Sequence, residues 1–548
     1  MSGRRRSRRY LPRGTRRKKR KSNPIPRFLY PTHVLLNGTV VTMATAKPTA
    51  AAIAIQEHRI AAVGTTNEIL RLIGPETIVT DLKGSTVLPG FTDCHIHLIQ
   101  YGLGLKSLNL RNVRSIDELK ERVAWKSKDE VEWILGRGWD QEKFAEKRYP
   151  TRHDLDEASS AKPVLLRRIC GHICVANSTA LNLAGVSELS DDPPGGVIDR
   201  DTGNVPTGIL RENAMDLLDA VVPSLRIEDY EKATLAACQD ALKAGLTSVH
   251  CIINSDLELR ALLKLKSEDR LPLRFYILLP SHRLNAIKML GVQTGFGDEW
   301  IRFGAIKIFS DGSLGARTAA LEAPYNDDPS NCGVTIYRQE ELDGLVSEAH
   351  SAGLQVAIHA IGDRATRMAL ESLAKSITKT QETLRHRIEH ASVLNSNLID
   401  EFERLGVIAS VQPHFTVSDF WIEQRLGRKR ASLAYPFASL ARKGVRVVAG
   451  SDCPVEPLAP LQGIAAATER SRSEEAITVE DAISLYTRDA AYASFDENVK
   501  GTIEPGKYAD LVCLQTDPRD ITPKAIPEIQ VLFTMVAGRI MYRSSTSI

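Results

Sequence analysis

The chain has 548 residues, 43% hydrophobic and 25% charged, an ordinary globular composition long enough for about three or four domain-sized units. No apolar run reaches the ~18 residues that a membrane-spanning helix needs, and the cysteines are scattered without a Cys-x-x-Cys pair. That argues against a disulfide framework and for free thiols in a reducing cytoplasm. The net charge of +4 is unevenly spread: residues 1–21 hold 12 Arg or Lys and no acid, leaving 59 basic and 67 acidic residues, or −8, on the rest.

In chain order, residues 1–27 come first as a basic tail. Like charges that cannot neutralise one another predict disorder, and the apolar stretch of a signal peptide is missing. A solvated tail, or a start codon assigned too early, accounts for it; contact with nucleic acid or an anionic surface is the alternative. THVLLNGTVVTM then places an Asn-Gly turn between two apolar runs, a hairpin pattern that AAIAIQEHRIAAVG repeats. Near the C-terminus GTIEPGKYADLVCLQ and IQVLFTMVAGRIMYR read the same way. The expectation is one small composite β-sandwich built from residues 28–87 and 500–548.

Between these ends, over residues 88–499, short β-branched runs alternate with amphipathic helical segments. The runs are STVLPGF, LTSVHCII, LPLRFYILL, IRFGAIKIFS, GLQVAIHA, HRIEHA, GVIASVQP and GVRVVAGSD. The helical segments EELDGLVSEAHSAG and NLIDEFERLG each end in Gly. Strands alternating with helices imply parallel βα units, and eight of them suffice to close an α/β (β/α)8 barrel of TIM type. The interval after the first run is too long for one βα unit, so an inserted subdomain is expected at about 110–225. It holds WILGRGWD, PVLLRRICGHICVANSTAL and the hairpin GGVIDRDTGNVPTGIL.

Barrel enzymes carry their chemistry at the C-terminal ends of the strands. The first run leads into Cys94-His95-Ile96-His97, where strand alternation points both imidazoles one way. Lys307 lies within the fourth run, His359 ends the fifth, His390 the sixth and Asp452 the eighth. Each has a bland reading: His359 as a core histidine, Lys307 as a snorkelling side chain, Asp452 as a helix N-cap, His390 as a partner of Glu389. Together, four histidines, a lysine and an aspartate at one rim point to a divalent metal site.

The motifs PGFTDCHIH, GWD, GHICVANS, IKIFSDGS, AIHAIGDRA, RHRIEHA, SVQPH, GSDCPV and GKYADLV resemble those of the amidohydrolase superfamily. Within it, the chain resembles the amidohydrolase-3 group of YtcJ-like and N-substituted formamide deformylase-like proteins, from about Thr32 to Arg543. The resemblance implies two divalent metal ions, with His95, His97 and Asp452 on one and His359 and His390 on the other; imidazole and oxygen ligands suit zinc, with manganese, cobalt or iron as alternatives. It also implies that Lys307 bridges them as a CO2-derived carbamate, which would turn a buried cation into an anionic ligand. A water between two such ions is activated near neutral pH, and Asp452 would carry its proton to the leaving nitrogen. The implied reaction is hydrolysis of a small amide or N-substituted formamide, a non-peptide C–N bond. Substrate contacts are expected from Trp139, Asp140, His172, Asn177, Asp311, Gln412 and His414, and a homodimer is allowed.

A mononuclear deaminase of the same superfamily is the first rival, but such enzymes usually place a Glu three residues after the fifth-strand His, where this chain has Gly362. A cyclic-amide ring opener would keep the same centre, and the long insertion speaks against it. A non-catalytic binding protein would have little need of all six candidate metal residues.

Overall fold

The computed structural model describes residues 30–105, 107–168, 173–377 and 384–545. The basic tail at 1–27 lies outside the described residues. No helix among them is long and apolar enough to cross a membrane.

Eight parallel strands form one sheet in chain order: β1 (Phe91–Ile96), β2 (Leu246–Ile252), β3 (Arg274–Pro280), β4 (Ile301–Phe309), β5 (Gln355–Ala360), β6 (Arg387–His390), β7 (Ile408–Val411) and β8 (Val447–Ala449). Every residue of β1, β2, β6, β7 and β8 is buried. Burial on both faces explains why these runs read as continuously apolar rather than alternating. The first and last strands are joined by scattered bonds, not a regular ladder: Asp452 N–H donates to the His95 carbonyl (2.7 Å) and His97 N–H to the Cys453 carbonyl (2.9 Å). Gly450 permits this approach, because a Cβ there would sit 2.4 Å from the His95 nitrogen. The barrel is therefore nearly closed, and its seam runs through three candidate metal residues.

Helices cover the outside as their spacing predicts. Helix Ser396–Leu405 is capped by the Asn395 side chain accepting from Leu398 N–H (3.0 Å), buries Leu398, Ile399 and Phe402, and ends at Gly406 in the left-handed region (φ 65°). Burial of the Phe402 ring alone contributes about 2 kcal/mol. Helix Leu98–Leu105 starts directly after His97 and lies against helix Ile227–Lys243. A Cβ on Gly102 would stand 2.1 Å from the Ala233 carbonyl oxygen, so the two backbones touch and the chain leaving His97 is held firmly.

The first predicted run, STVLPGF, turns out to be shared by two sheets. Thr86–Pro89 pairs with Leu511–Leu514 in a six-stranded sheet drawn from both ends of the chain, whereas Phe91 opens the barrel. The switch falls at Gly90, where a Cβ would strike Thr247 at 2.2 Å. A four-stranded sheet of Arg59–Gly64, Ala52–Gln56, His33–Leu36 and Ile78–Asp81 shares a buried cluster with it, including Leu35, Ile53, Val87, Leu511 and Phe533.

Between β1 and β2 the chain makes a further six-stranded sheet, from Leu108–Asn109 to Pro206–Glu212. Its two faces bury separate clusters, one around Trp139, Phe144 and Leu166, the other around Leu165, Cys174 and Leu210.

Candidate functional site

Four imidazoles and one carboxylate meet at the C-terminal rim. His95 on β1 and His97 just beyond it direct Nε2 at the same Asp452 oxygen, Oδ1, at 3.4 and 3.5 Å. The ring centroids of His390 lie 4.9 Å from His95 and 4.5 Å from His359. Ligand atoms of His95, His390 and Asp452 all fall within 4.8 Å of one another. Lys307, from β4, is wholly buried, and its Nζ has no hydrogen-bond partner among the described residues. The Phe309 ring centroid lies 4.9 Å from Nζ.

Local backbone geometry makes this convergence. On a regular strand Glu389 and His390 would face opposite ways. His390 instead takes φ 73°, and Asp452 φ 57°, both left-handed. Such conformations are costly for residues with a Cβ and persist where surrounding structure imposes them. They swing both side chains into the cluster.

Three imidazoles have one ring nitrogen committed elsewhere. His95 Nδ1 meets the Glu389 carboxylate, His390 Nδ1 donates to Gln412 Oε1 at 2.6 Å, and His359 Nε2 donates to the Gly312 carbonyl at 3.0 Å. Donation from one nitrogen fixes the tautomer and leaves a lone pair on the other, the arrangement a metal-binding histidine requires. The Asn254 amide lies 3.4 Å from His97 Nδ1. Arg387 is fully buried, and each of its three guanidinium nitrogens has a hydrogen-bond partner. It pairs with Glu389 and donates to the Cys94 carbonyl, to Ser410 Oγ (2.7 Å) and to His250 Nδ1 (2.9 Å).

The electrostatics follow from burial. Desolvation lowers the Lys307 ammonium to about 8 and His97 to about 4. Burial by itself would raise the Asp452 carboxyl, but the surrounding imidazoles of His95, His390 and His97 hold it well below the usual carboxylate range. Burial and Lys307 oppose a charge on His95. The Glu389 and Asp452 carboxylates outweigh them and raise its pKa. Burial thus favours the neutral forms of Lys307, His97 and His390, and the carboxylates favour charge on His95 alone among these bases.

The expected substrate contacts divide. Gln412 is at the cluster, as the partner of His390. His414 is at the rim, its Nδ1 on the Glu456 carboxylate. Asp311 is close to His359, with Oδ1 3.3 Å from Nε2, but its carboxylate is occupied by the N–H groups of Ala320, Ile361 and Gly362 (2.9–3.1 Å) and serves to fold the loops. Trp139 is corrected: it is fully buried in the inserted sheet, donates to the Leu166 carbonyl at 2.9 Å and packs on Phe144 and Tyr149, so no face is free to stack on a substrate. Asn177 is corrected likewise. It is fully buried and caps helix Ser178–Leu183, its amide spent on Val164 and Ala180 N–H and on the carbonyls of Ser159 and Lys162. Asp140 pairs with Arg168 at 2.9 Å within the insertion. His172 lies outside the described residues.

The sequence offered Glu389 as a partner of His390, whereas in the structure Glu389 holds His95 and Arg387. Sequence reading passed over Asp93, whose buried carboxylate accepts from the backbone N–H of His95 (3.1 Å) and Ser451 (3.0 Å) and so clamps β1 to the end of β8. A polar residue two before His95, on the same strand face, was the available signal.

Residues 79–542 match the family described as the amidohydrolase family. The chain is 36% identical over 533 residues to YtcJ of Bacillus subtilis, a protein named as an amidohydrolase, with 93% of this chain and 99% of that one covered. It is 28% identical over 541 residues to the N-substituted formamide deformylase of Arthrobacter pascens, covering 94% and 99%. The crystal structure of a metal-dependent hydrolase from Pyrococcus furiosus matches with a TM-score of 0.76 at 33% identity, over 89% of this chain and 99% of that one. The barrel, its rim of histidines and these likenesses agree: the chain belongs to the amidohydrolase family of metal-dependent hydrolases.

Proposed function

We propose that the protein hydrolyses a non-peptide C–N bond, in an amide or an N-substituted formamide, with two divalent ions, zinc by preference, held at the rim cluster. The observation that carries the reading is the pairing of oriented, lone-pair-bearing imidazoles with a buried lysine that has no partner. The residues fit the group. His95, His97 and Asp452 would hold one ion and His359 and His390 the other, an imidazole and carboxylate set suited to zinc. An unpaired ammonium in the barrel wall is costly. A carbamate made from Lys307 and CO2 would replace that charge by an anionic oxygen ligand between the ions.

When bound, the ions lower the pKa of water toward neutrality and polarise the substrate carbonyl. The chain's own residues do the rest. Glu389, Gln412 and the Gly312 carbonyl keep the imidazoles in one tautomer and orientation. The Asp452 carboxylate, ionised across the neutral range, accepts the proton from the attacking water and returns it to the departing nitrogen, without which an amine leaves poorly. The deaminase alternative loses support at Gly362, where a Cβ would lie 1.9 Å from the Ala320 carbonyl oxygen, so a glutamate cannot occupy that position.

The test is amine release from a panel of N-formyl and N-acyl amines by zinc-loaded protein, with Asp452→Asn as control. Turnover that falls by about 10²–10⁴ in the variant is expected for a lost proton carrier. A panel without turnover, with metal bound, overturns the reading.

A further inference from the structure

A cavity of about 500 Å³ opens beside the rim cluster. Two of its walls are the segments that directly follow candidate metal residues, namely Tyr101 on the helix after His97 and Val455 and Glu456 after Asp452. The third wall belongs to the inserted sheet and carries Arg111 and Arg137.

The two carboxylates facing this space are engaged by groups other than the two guanidiniums. The Asp240 carboxylate is occupied by the Tyr101 hydroxyl (3.1 Å) and Lys243 Nζ (2.9 Å), and the Glu456 carboxylate by His414. Neither guanidinium has a hydrogen-bond or ion-pair partner among the described residues, whereas the nearby Arg168 is paired with Asp140. Both side chains are exposed, but the backbone that carries them is fixed. Arg137 stands in register with Asn109, and Leu110 N–H donates to the Arg137 carbonyl at 2.9 Å, so residues 109–111 run alongside it. The Arg111 stem crosses Gly138 (φ 97°), where a Cβ would meet its Cγ at 2.7 Å. Two exposed guanidiniums without hydrogen-bond or ion-pair partners among the described residues, beside the apolar side chains of Leu108 and Val455, are suited to an anion attached to an apolar group.

We infer that this cavity receives a carboxylate carried by the amide substrate, as in an N-acyl amino acid, and that Arg111 and Arg137 set that specificity. The inference rests on the C–N hydrolase reading for the reaction, though not for the binding.

Two measurements separate them. The first is calorimetric binding of 3-phenylpropionate and of 3-phenylpropan-1-ol, neither of which has a bond to hydrolyse, to the metal-loaded full chain. The acid should bind at least about tenfold tighter than the alcohol, as two charge-assisted contacts imply, and the Arg111→Ala/Arg137→Ala double variant should erase the difference. Equal binding of the two probes, or tight acid binding that survives in the double variant, overturns the inference; the latter would place the carboxylate on the metals. The second is the ratio of kcat/KM for N-formylphenylalanine to that for N-formylphenethylamine, which should exceed about ten and fall toward one in the double variant. If neither formamide is hydrolysed while arginine-dependent binding of the acid persists, the hydrolase reading fails and the carboxylate site stands.

Discussion

The two ends of the barrel treat buried charge in opposite ways. At the N-terminal end of the strands, Arg274 is almost wholly buried and donates twice to the Asp510 carboxylate (2.6 and 3.1 Å), with its guanidinium 4.0 Å from the Tyr508 ring centroid. Lys500 donates to Ser248 Oγ at 2.6 Å and stands 3.3 Å from Asp496, which Arg302 also pairs. Each of these cations meets a carboxylate, Lys500 and Arg302 sharing Asp496. At the C-terminal end, Lys307 Nζ has no hydrogen-bond partner among the described residues, and two backbones are held left-handed so that imidazoles can crowd one carboxylate. A paired buried charge holds structure together, whereas an unpaired one is tolerated only where something else is to be bound.

Substitutions at each end test this contrast. The largest effect is expected from Arg274→Ala, which leaves Asp510 buried and alone. It should cost about 3–5 kcal/mol of stability in urea unfolding while the folded protein still takes up metal; a neutral result would make the N-terminal network dispensable. Next, Glu389→Gln removes the carboxylate behind His95 and should weaken zinc binding by about 10–100-fold in a chelator competition, with the fold retained at moderate temperature. Unchanged affinity would show that Glu389 serves only Arg387. At Lys307 the sign should reverse. In chelator-treated protein Lys307→Met should raise stability by about 1–3 kcal/mol, since an unpartnered buried amine gives way to an apolar side chain, while the same variant loses metal and turnover. A destabilised Lys307→Met would mean that the lysine is structural after all. The smallest effect belongs to the inserted sheet: Trp139→Phe forfeits one buried hydrogen bond, about 1 kcal/mol, and should leave kcat and KM alike. A selective rise in KM would return Trp139 to the substrate.

Much of this was legible in residue order. The apolar runs that became strands, the Gly406 helix end and the shared direction of His95 and His97 follow from periodicity and glycine placement, which act over a few residues. Asn177 was legible and misread: an Asn before Ser-Thr-Ala-Leu is a helix cap by position, and its place in a recognisable motif drew attention from that. Trp139 could not be settled locally, because a tryptophan in a strand reads the same whether its outer face meets solvent or a second layer. His390 was found by its chemistry, but its inward turn was invisible, since alternation along β6 predicts the opposite face.

Residue order supplies the kinds of groups available and the segments that carry them: imidazoles, a lysine and a carboxylate at the ends of alternating strands. Which of them meet is set by the folded barrel. His95 and Glu389 are 294 positions apart, and no local preference acts across that distance. Closure of the seam between β1 and β8, made possible by Gly450 and clamped by Asp93, sets the distance from His95 to Asp452. The same closure leaves Lys307 walled in without a partner, a property of the assembled barrel that β4 alone does not possess.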